Sequence, residues 1–218
     1  RDVWWDLMKT KVTLLILRVV AVVYPLETWG ATLDQQYMAS TGNGLVVSKV
    51  QTVGQTFQVG MSGFLDRVEL GLARNGAVLP AKGLTFEIRS TLANGDPGNN
   101  VLASIAIAAA DISTSYQFNL YLRPFDLAVT TGDTLALVLS TEAEVQPVGI
   151  YPFAWSGDAP GNYGPGTIYV DHGNGFLPTA WDAAFQTYVD TAVVPEPSVL
   201  GLSLLAGGVL FCRRLAEK

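Results

Sequence analysis

From residue 31 to residue 192 the chain repeats apolar and polar positions with a period of two. In Val68-Glu69-Leu70-Gly71-Leu72 the apolar residues take every second place, as in a strand with one face buried. Leu84-Thr85-Phe86-Glu87-Ile88-Arg89 repeats the pattern with Thr85, Glu87 and Arg89 outward, and Tyr116-Gln117-Phe118-Asn119-Leu120-Tyr121-Leu122 does so again. Leu135, Leu137 and Leu139 belong to a more fully buried strand. Further strands are predicted over 45–50, 55–59, 101–107, 149–155, 167–170 and 184–189. Turn-formers punctuate them: Asn75-Gly76, Asn94-Gly95-Asp96-Pro97-Gly98, Thr131-Gly132-Asp133 and Asp158-Ala159-Pro160-Gly161. Only 106–110 hints at helix, and it is too short to sustain one.

About ten strands, each with one apolar face, must set those faces against one another. The expected fold class is therefore all-β: an antiparallel, jelly-roll-like β-sandwich over 31–192. Strand number and the glycine-rich excursion from 156 to 180 favour this over an immunoglobulin-like sandwich. The 22 glycines and 11 prolines suit many short strands and tight turns.

Charge narrows the partners. Positions 31–194 hold six Lys/Arg against fourteen Asp/Glu, a net charge of −8. No basic surface for phosphate emerges, so nucleic acid is not an expected partner. The single cysteine, Cys212, lies outside this domain, which therefore folds without a disulfide.

The two ends read as addresses. At the front (1–30), Met8-Lys9-Thr10-Lys11 is a basic region, an apolar stretch spans 12–23, and small residues occur around Thr28, Gly30 and Ala31. That order is the layout of a signal peptide, with an N-terminal signal helix, translation starting at Met8 and cleavage after Gly30 or Ala31. Arg18 interrupts the apolar run. At the back (193–218), Val194-Pro195-Glu196-Pro197-Ser198 precedes an apolar run and then Arg213-Arg214. Two prolines around a glutamate block regular structure locally. As a helix the run of about fifteen residues would span roughly 22 Å, short of a ~30 Å hydrocarbon core. Such a short transmembrane helix holds a chain transiently, and Arg213 and Arg214 orient it.

This tail resembles the PEP-CTERM sorting signal of Gram-negative bacteria that make extracellular polysaccharide. The resemblance runs from Val194 to about Leu215 and rests on Pro195-Glu196-Pro197, on the hydrophobic run with Gly201, Gly207 and Gly208, and on the terminal arginines. It implies processing by an exosortase after export by the secretion machinery. It also implies a destination at the cell surface or in the extracellular matrix. The middle of the chain, from Gln51 to Val189, resembles the "choice-of-anchor" group of bacterial surface β-sandwiches. The residues that carry this are Gln55-Thr56-Phe57-Gln58-Val59-Gly60, Leu65-Asp66-Arg67-Val68-Glu69-Leu70, Phe86-Glu87-Ile88-Arg89, Val101-Leu102-Ala103 and Ala136-Leu137-Val138-Leu139. That likeness implies an extracellular module without catalytic residues.

Candidate chemistry is sparse. A Ser-His-Asp triad would have to use His172, the one histidine, which sits in the turn-rich Asp171-His172-Gly173-Asn174, and there is no Gly-x-Ser-x-Gly elbow. Glu69 and Glu87 would share a solvated face if their strands were neighbours, with Arg67 and Arg89 as partners. Calcium needs only loop oxygens, making Asn94, Asp96, Asp171 and Asn174 the candidate ligands, although Asx turns explain both loops equally well or better. No other cofactor is expected. Tyr151, Phe153, Trp155, Tyr163, Tyr169, Phe176 and Trp181 form an aromatic-rich stretch. Their alternation at 151–155 points to the core, whereas Tyr163 and Trp181, beside glycine and proline, are the candidate glycan-binding residues. The leading expectation is a non-enzymatic surface or matrix protein, structural or adhesive, among exopolysaccharide. A lectin-like carbohydrate-binding module is the first alternative and a hydrolase the second.

Overall fold

A computed structural model describes residues 30–40, 43–74, 76, 78–122, 127–145 and 151–191, with the side chains of 119–122 outside the description. The predicted signal helix and membrane helix lie outside these residues, as do Pro195, Glu196, Pro197, Arg213 and Arg214. Among the described residues no helix is long and apolar enough to cross a membrane.

The body is all-β and built from two antiparallel sheets. In chain order the strands are β1 (Thr32–Tyr37), β2 (Gly44–Val47), β3 (Thr52–Gln58), β4 (Gly63–Arg74), β5 (Leu84–Thr91), β6 (Pro97–Ile107), β7 (Gln117–Leu122), β8 (Leu127–Val129), β9 (Thr134–Ser140), β10 (Phe153–Asp158), β11 (Ile168–Asp171), β12 (Phe176–Pro178), β13 (Asp182–Ala183) and β14 (Phe185–Asp190). One sheet runs β1-β14-β4-β10-β13, with β2 on β10 and with β7 and β8 on β4. The other runs β12-β11-β3-β9-β5-β6. The helical hint at 106–110 resolves into the end of β6 and a single 3-10 turn at Ala109–Asp111.

The predicted alternation sets the inner faces. Val68, Leu70 and Leu72 of β4 meet Val53 and Phe57 of β3, Phe86 and Ile88 of β5, and Leu137 and Leu139 of β9 in one apolar core. Phe153 and Trp155 join them, as their spacing predicted, while Tyr151 precedes the strand and is exposed. Trp155 is fully buried, and its indole Nε1 donates to the Ala184 carbonyl at 2.8 Å.

Strands β3 and β9 are buried on both faces, beyond what a half-buried sheet requires. At Gly54 the covering comes from outer strands of the same sheet. A Cβ placed on Gly54, which points outward, would lie 3.3 Å from Pro97 and 3.4 Å from Phe176. The start of β6 and the short strand β12 thus reach over Gly54 on the outer face of their own sheet. Tyr169, outward on β11 and beside Gly54 in register, is buried under the same cover.

Trp155 is the largest wholly buried side chain, so Trp155→Ala is expected to cost about 3–5 kcal/mol. Chemical denaturation followed by far-ultraviolet circular dichroism measures this loss.

Candidate functional site

The polar groups of the body fall into three places: a seam between the sheets, the loops over the six-stranded sheet, and a hollow at one end. The seam is the most constrained. Gln55 occupies an inward position of β3, in line with Val53 and Phe57, and is fully buried. Its Oε1 accepts from the Ala183 amide at 2.8 Å, and its Nε2 donates to the Thr56 carbonyl at 3.0 Å and to Asp182 Oδ1 at 3.4 Å. Asp182 Oδ2 accepts from the Tyr163 amide at 2.8 Å. A Cβ on Gly161 would stand 2.2 Å from that same oxygen, so only glycine lets the 160s loop press onto the carboxylate.

Tyr163 does not sit at a loop tip. Its ring is 8% exposed, edge-on to Phe185 at 5.2 Å between centroids, and its hydroxyl donates to Gln35 Oε1 at 3.0 Å. Burial pushes the Tyr163 hydroxyl well above its ordinary range. Trp181 is half-buried against the core, so the two candidate glycan residues do not form a paired aromatic platform. Nearby, Asp158 Oδ2 accepts from the Ser40 amide at 2.6 Å and from the Tyr37 hydroxyl at 3.3 Å. Asp34 Oδ1 accepts from the Gly60 amide at 3.0 Å. Each carboxylate here ties one loop or strand to another.

The calcium candidates are committed in the same manner. Asn94 Nδ2 donates to Asp96 Oδ2 at 2.7 Å, and the Asp96 amide donates back to Asn94 Oδ1 at 3.3 Å. Asp96 also bonds the Tyr169 hydroxyl, whose pKa is raised by burial and then by this carboxylate. Asp171 Oδ1 accepts from the amides of Gly173 at 2.7 Å and Gly175 at 2.9 Å, forming an Asx turn, while Asn174 is exposed. Among the described residues no three His, Cys, Asp or Glu side chains gather closely enough to hold a metal ion.

Glu69 and Glu87 do not share a face. They lie on strands of different sheets, with outward faces on opposite sides of the sandwich. The expected arginine partners are in place: Arg89 Nε donates to Glu87 at 2.7 Å, and Arg67 Nε lies 2.9 Å from Glu69. Glu69 is nonetheless 6% exposed rather than solvated, because Arg67 lies across the sheet with its guanidinium 3.7 Å from the centre of the Tyr188 ring. His172 is exposed and its Nδ1 is 3.2 Å from the Val50 carbonyl.

A hollow of about 240 Å³ is lined by Leu72, Arg74, Asp111, Ser113, Thr114 and Gln117 among others. The Arg74 amide donates to the Ser113 carbonyl at 2.7 Å, which fixes the serine-rich rim to the end of β4. Sequence reading passed over this site because its residues come from two segments far apart in the chain, 72–74 and 110–117, and none belongs to a recognisable motif. The hollow mixes a guanidinium, a carboxylate, hydroxyls and an amide over an apolar floor. Such a mixture offers hydrogen-bond donors and acceptors of the kind that a small polar ligand takes. No protein-family model matches the chain, and no curated protein shows significant similarity to it.

Burial holds the carboxyls of Asp34 and Asp182 above the ordinary value near 3.8. Between that value and their raised folded values, the native state binds more protons than the unfolded chain. Their contribution to stability is therefore complete below the unfolded value and is lost as pH rises through the folded one. The melting temperature gains a contribution from these two groups as pH falls toward the ordinary carboxyl value near 3.8, and that contribution is expected to be smaller in Asp182→Asn. Scanning calorimetry of both proteins across that range measures the difference.

Proposed function

We propose that the chain is an exported, non-enzymatic β-sandwich, delivered by an exosortase-processed tail to the cell surface or matrix of a Gram-negative bacterium. There it acts structurally or adhesively among extracellular polysaccharide. One observation carries this reading beyond the terminal motifs. Strand β1, which follows the predicted cleavage site, pairs antiparallel with β14, which precedes the Pro195-Glu196-Pro197 motif, so that Thr32 lies opposite Val189. The start and finish of the folded body thus adjoin at one end of the sandwich.

That placement suits a protein held briefly by its tail. Val189 aligns with Leu65 near the start of β4, and the hollow lies beyond Leu72 and Arg74 at the other end. Nine residues of strand separate Leu65 from Arg74, roughly 30 Å at 3.3 Å per residue. A jelly-roll-like path is part of the same proposal. It is supported by β3 to β4, β4 to β5, β9 to β10 and β10 to β11, each of which crosses from one sheet to the other.

A second reading, carbohydrate binding, is favoured by the hollow itself. Hydroxyl, amide and guanidinium groups at an open end fit a sugar better than the buried Tyr163 does. Affinity electrophoresis through the producer's own exopolysaccharide tests it. Retardation that disappears in Arg74→Ala and Gln117→Ala supports a glycan site there, and no retardation of the wild type removes it.

For the leading reading, mass spectrometry of the protein from its native host is expected to find both terminal segments removed. Glu196→Ala is expected to accumulate the uncut, membrane-associated form. An intact chain recovered from the cytosol with both ends retained would overturn the assignment.

A further inference from the structure

We infer that the free edge of β6 is a self-association surface, at which a second copy of this chain adds its own β6 antiparallel to extend the six-stranded sheet. Strand edges carry unpaired amides and carbonyls, and proteins ordinarily blunt them with charge, proline, bulges or shortness. The other outer strands show those devices. Strand β1 carries Asp34 and a register shift between Leu33 and Gln35. Strand β12 is three residues long and ends in Pro178.

Strand β6 differs. It is eleven residues long, the longest edge among the described strands, and among those residues it pairs with β5 alone. Its run Val101-Leu102-Ala103-Ser104-Ile105-Ala106-Ile107 has no charge and no proline, and Ser104 is its one polar side chain. The shifts in its register with β5 fall before Ala103, so Ala103 to Ile107 is a regular ladder. Val101 is 43% exposed and Leu102 37%. Ala103 and Ile105 point toward the core yet are only partly buried, which leaves the apolar layer open at this edge.

Charge selects a second copy as the occupant. The domain carries −8, so two copies repel across most of their surfaces. Along β6 they meet no charge, and the neighbouring Glu87 on β5 is already paired with Arg89. An antiparallel strand pair is also its own complement about a two-fold axis, which closes the assembly at two copies. Strand addition alone buries less than a standard interface of about 1,600 Å², so the association is weak in solution and favoured by crowding on a surface.

The test uses the full chain in detergent, with Cys212→Ala removing its one cysteine and a nitroxide attached at Ser104→Cys. Sedimentation is expected to show a concentration-dependent dimer. Dipolar spectroscopy is expected to place the two labels within about 25 Å, as paired strands of this length require. In a separate variant, Ser104→Lys sets like charges across the axis and is expected to weaken dimerisation by about tenfold or more. Because Ser104 is exposed, its melting temperature should match the wild type. A chain that stays monomeric overturns the proposal and leaves β6 to a strand from a different protein. A dimer with distant labels, or one that survives Ser104→Lys, also overturns it and assigns association to another part of the chain.

Discussion

One buried amide holds the two sheets in their relation. Gln55 projects from the centre of the six-stranded sheet into an apolar layer, where an unpaired polar group would cost about 1–3 kcal/mol. Its partners are the Ala183 amide and Asp182, which belong to the short strand that leads into β14 of the opposite sheet. Hydrophobic faces alone can slide past each other; this contact has one register. Because Asp182 also receives the Tyr163 amide, the 160s loop is set by the same group. The chain thereby fixes sheet position, loop position and the aromatic contact of Tyr163 with Phe185 through one network.

The cost of that arrangement appears in the carboxyl groups. Asp182 and Asp34 are both raised by burial, and neither is held by an arginine or lysine in its network. Backbone amides and neutral side chains compensate only in part for lost hydration. The arginines are instead spent on the outer faces, where Arg67 covers Tyr188 and approaches Glu69, and where Arg89 holds Glu87. Lys49 makes a further ion pair with Glu144, between the segments that follow β2 and β9. Asp34, Asp158 and Asp182 each position the chain by accepting from a backbone amide.

The sequence revealed what period-two alternation can encode and little else. Val68, Leu70 and Leu72, like Leu84, Phe86 and Ile88, were legible as inner faces because each strand buries one side against the opposite sheet. Strand β1 was not, since Thr-Leu-Asp-Gln-Gln-Tyr lacks alternation and is held in place by pairing with β14 and by Gln35 contacts over 120 residues away. Tyr163 was misplaced for a related reason. Its glycine neighbours read as a loop tip, but Asp182 draws the loop inward from a strand that local sequence cannot reveal. Glu69 shows the limit of alternation itself, which gives the face of a residue but not what lies over that face.

The same distinction bears on where function can reside. Two positions that alternation marks as outward are covered, Gly54 by Pro97 and Phe176, and Tyr188 by Arg67. What stays open is peripheral: the hollow at the end of β4 and the uncharged edge of β6. The first and last strands adjoin at one end, which is compatible with the proposed tether there, and the edge of β6 is where the proposed association would add a strand. Joining through strand backbone requires only main-chain geometry and a lack of charge, which is why it leaves no motif in the sequence.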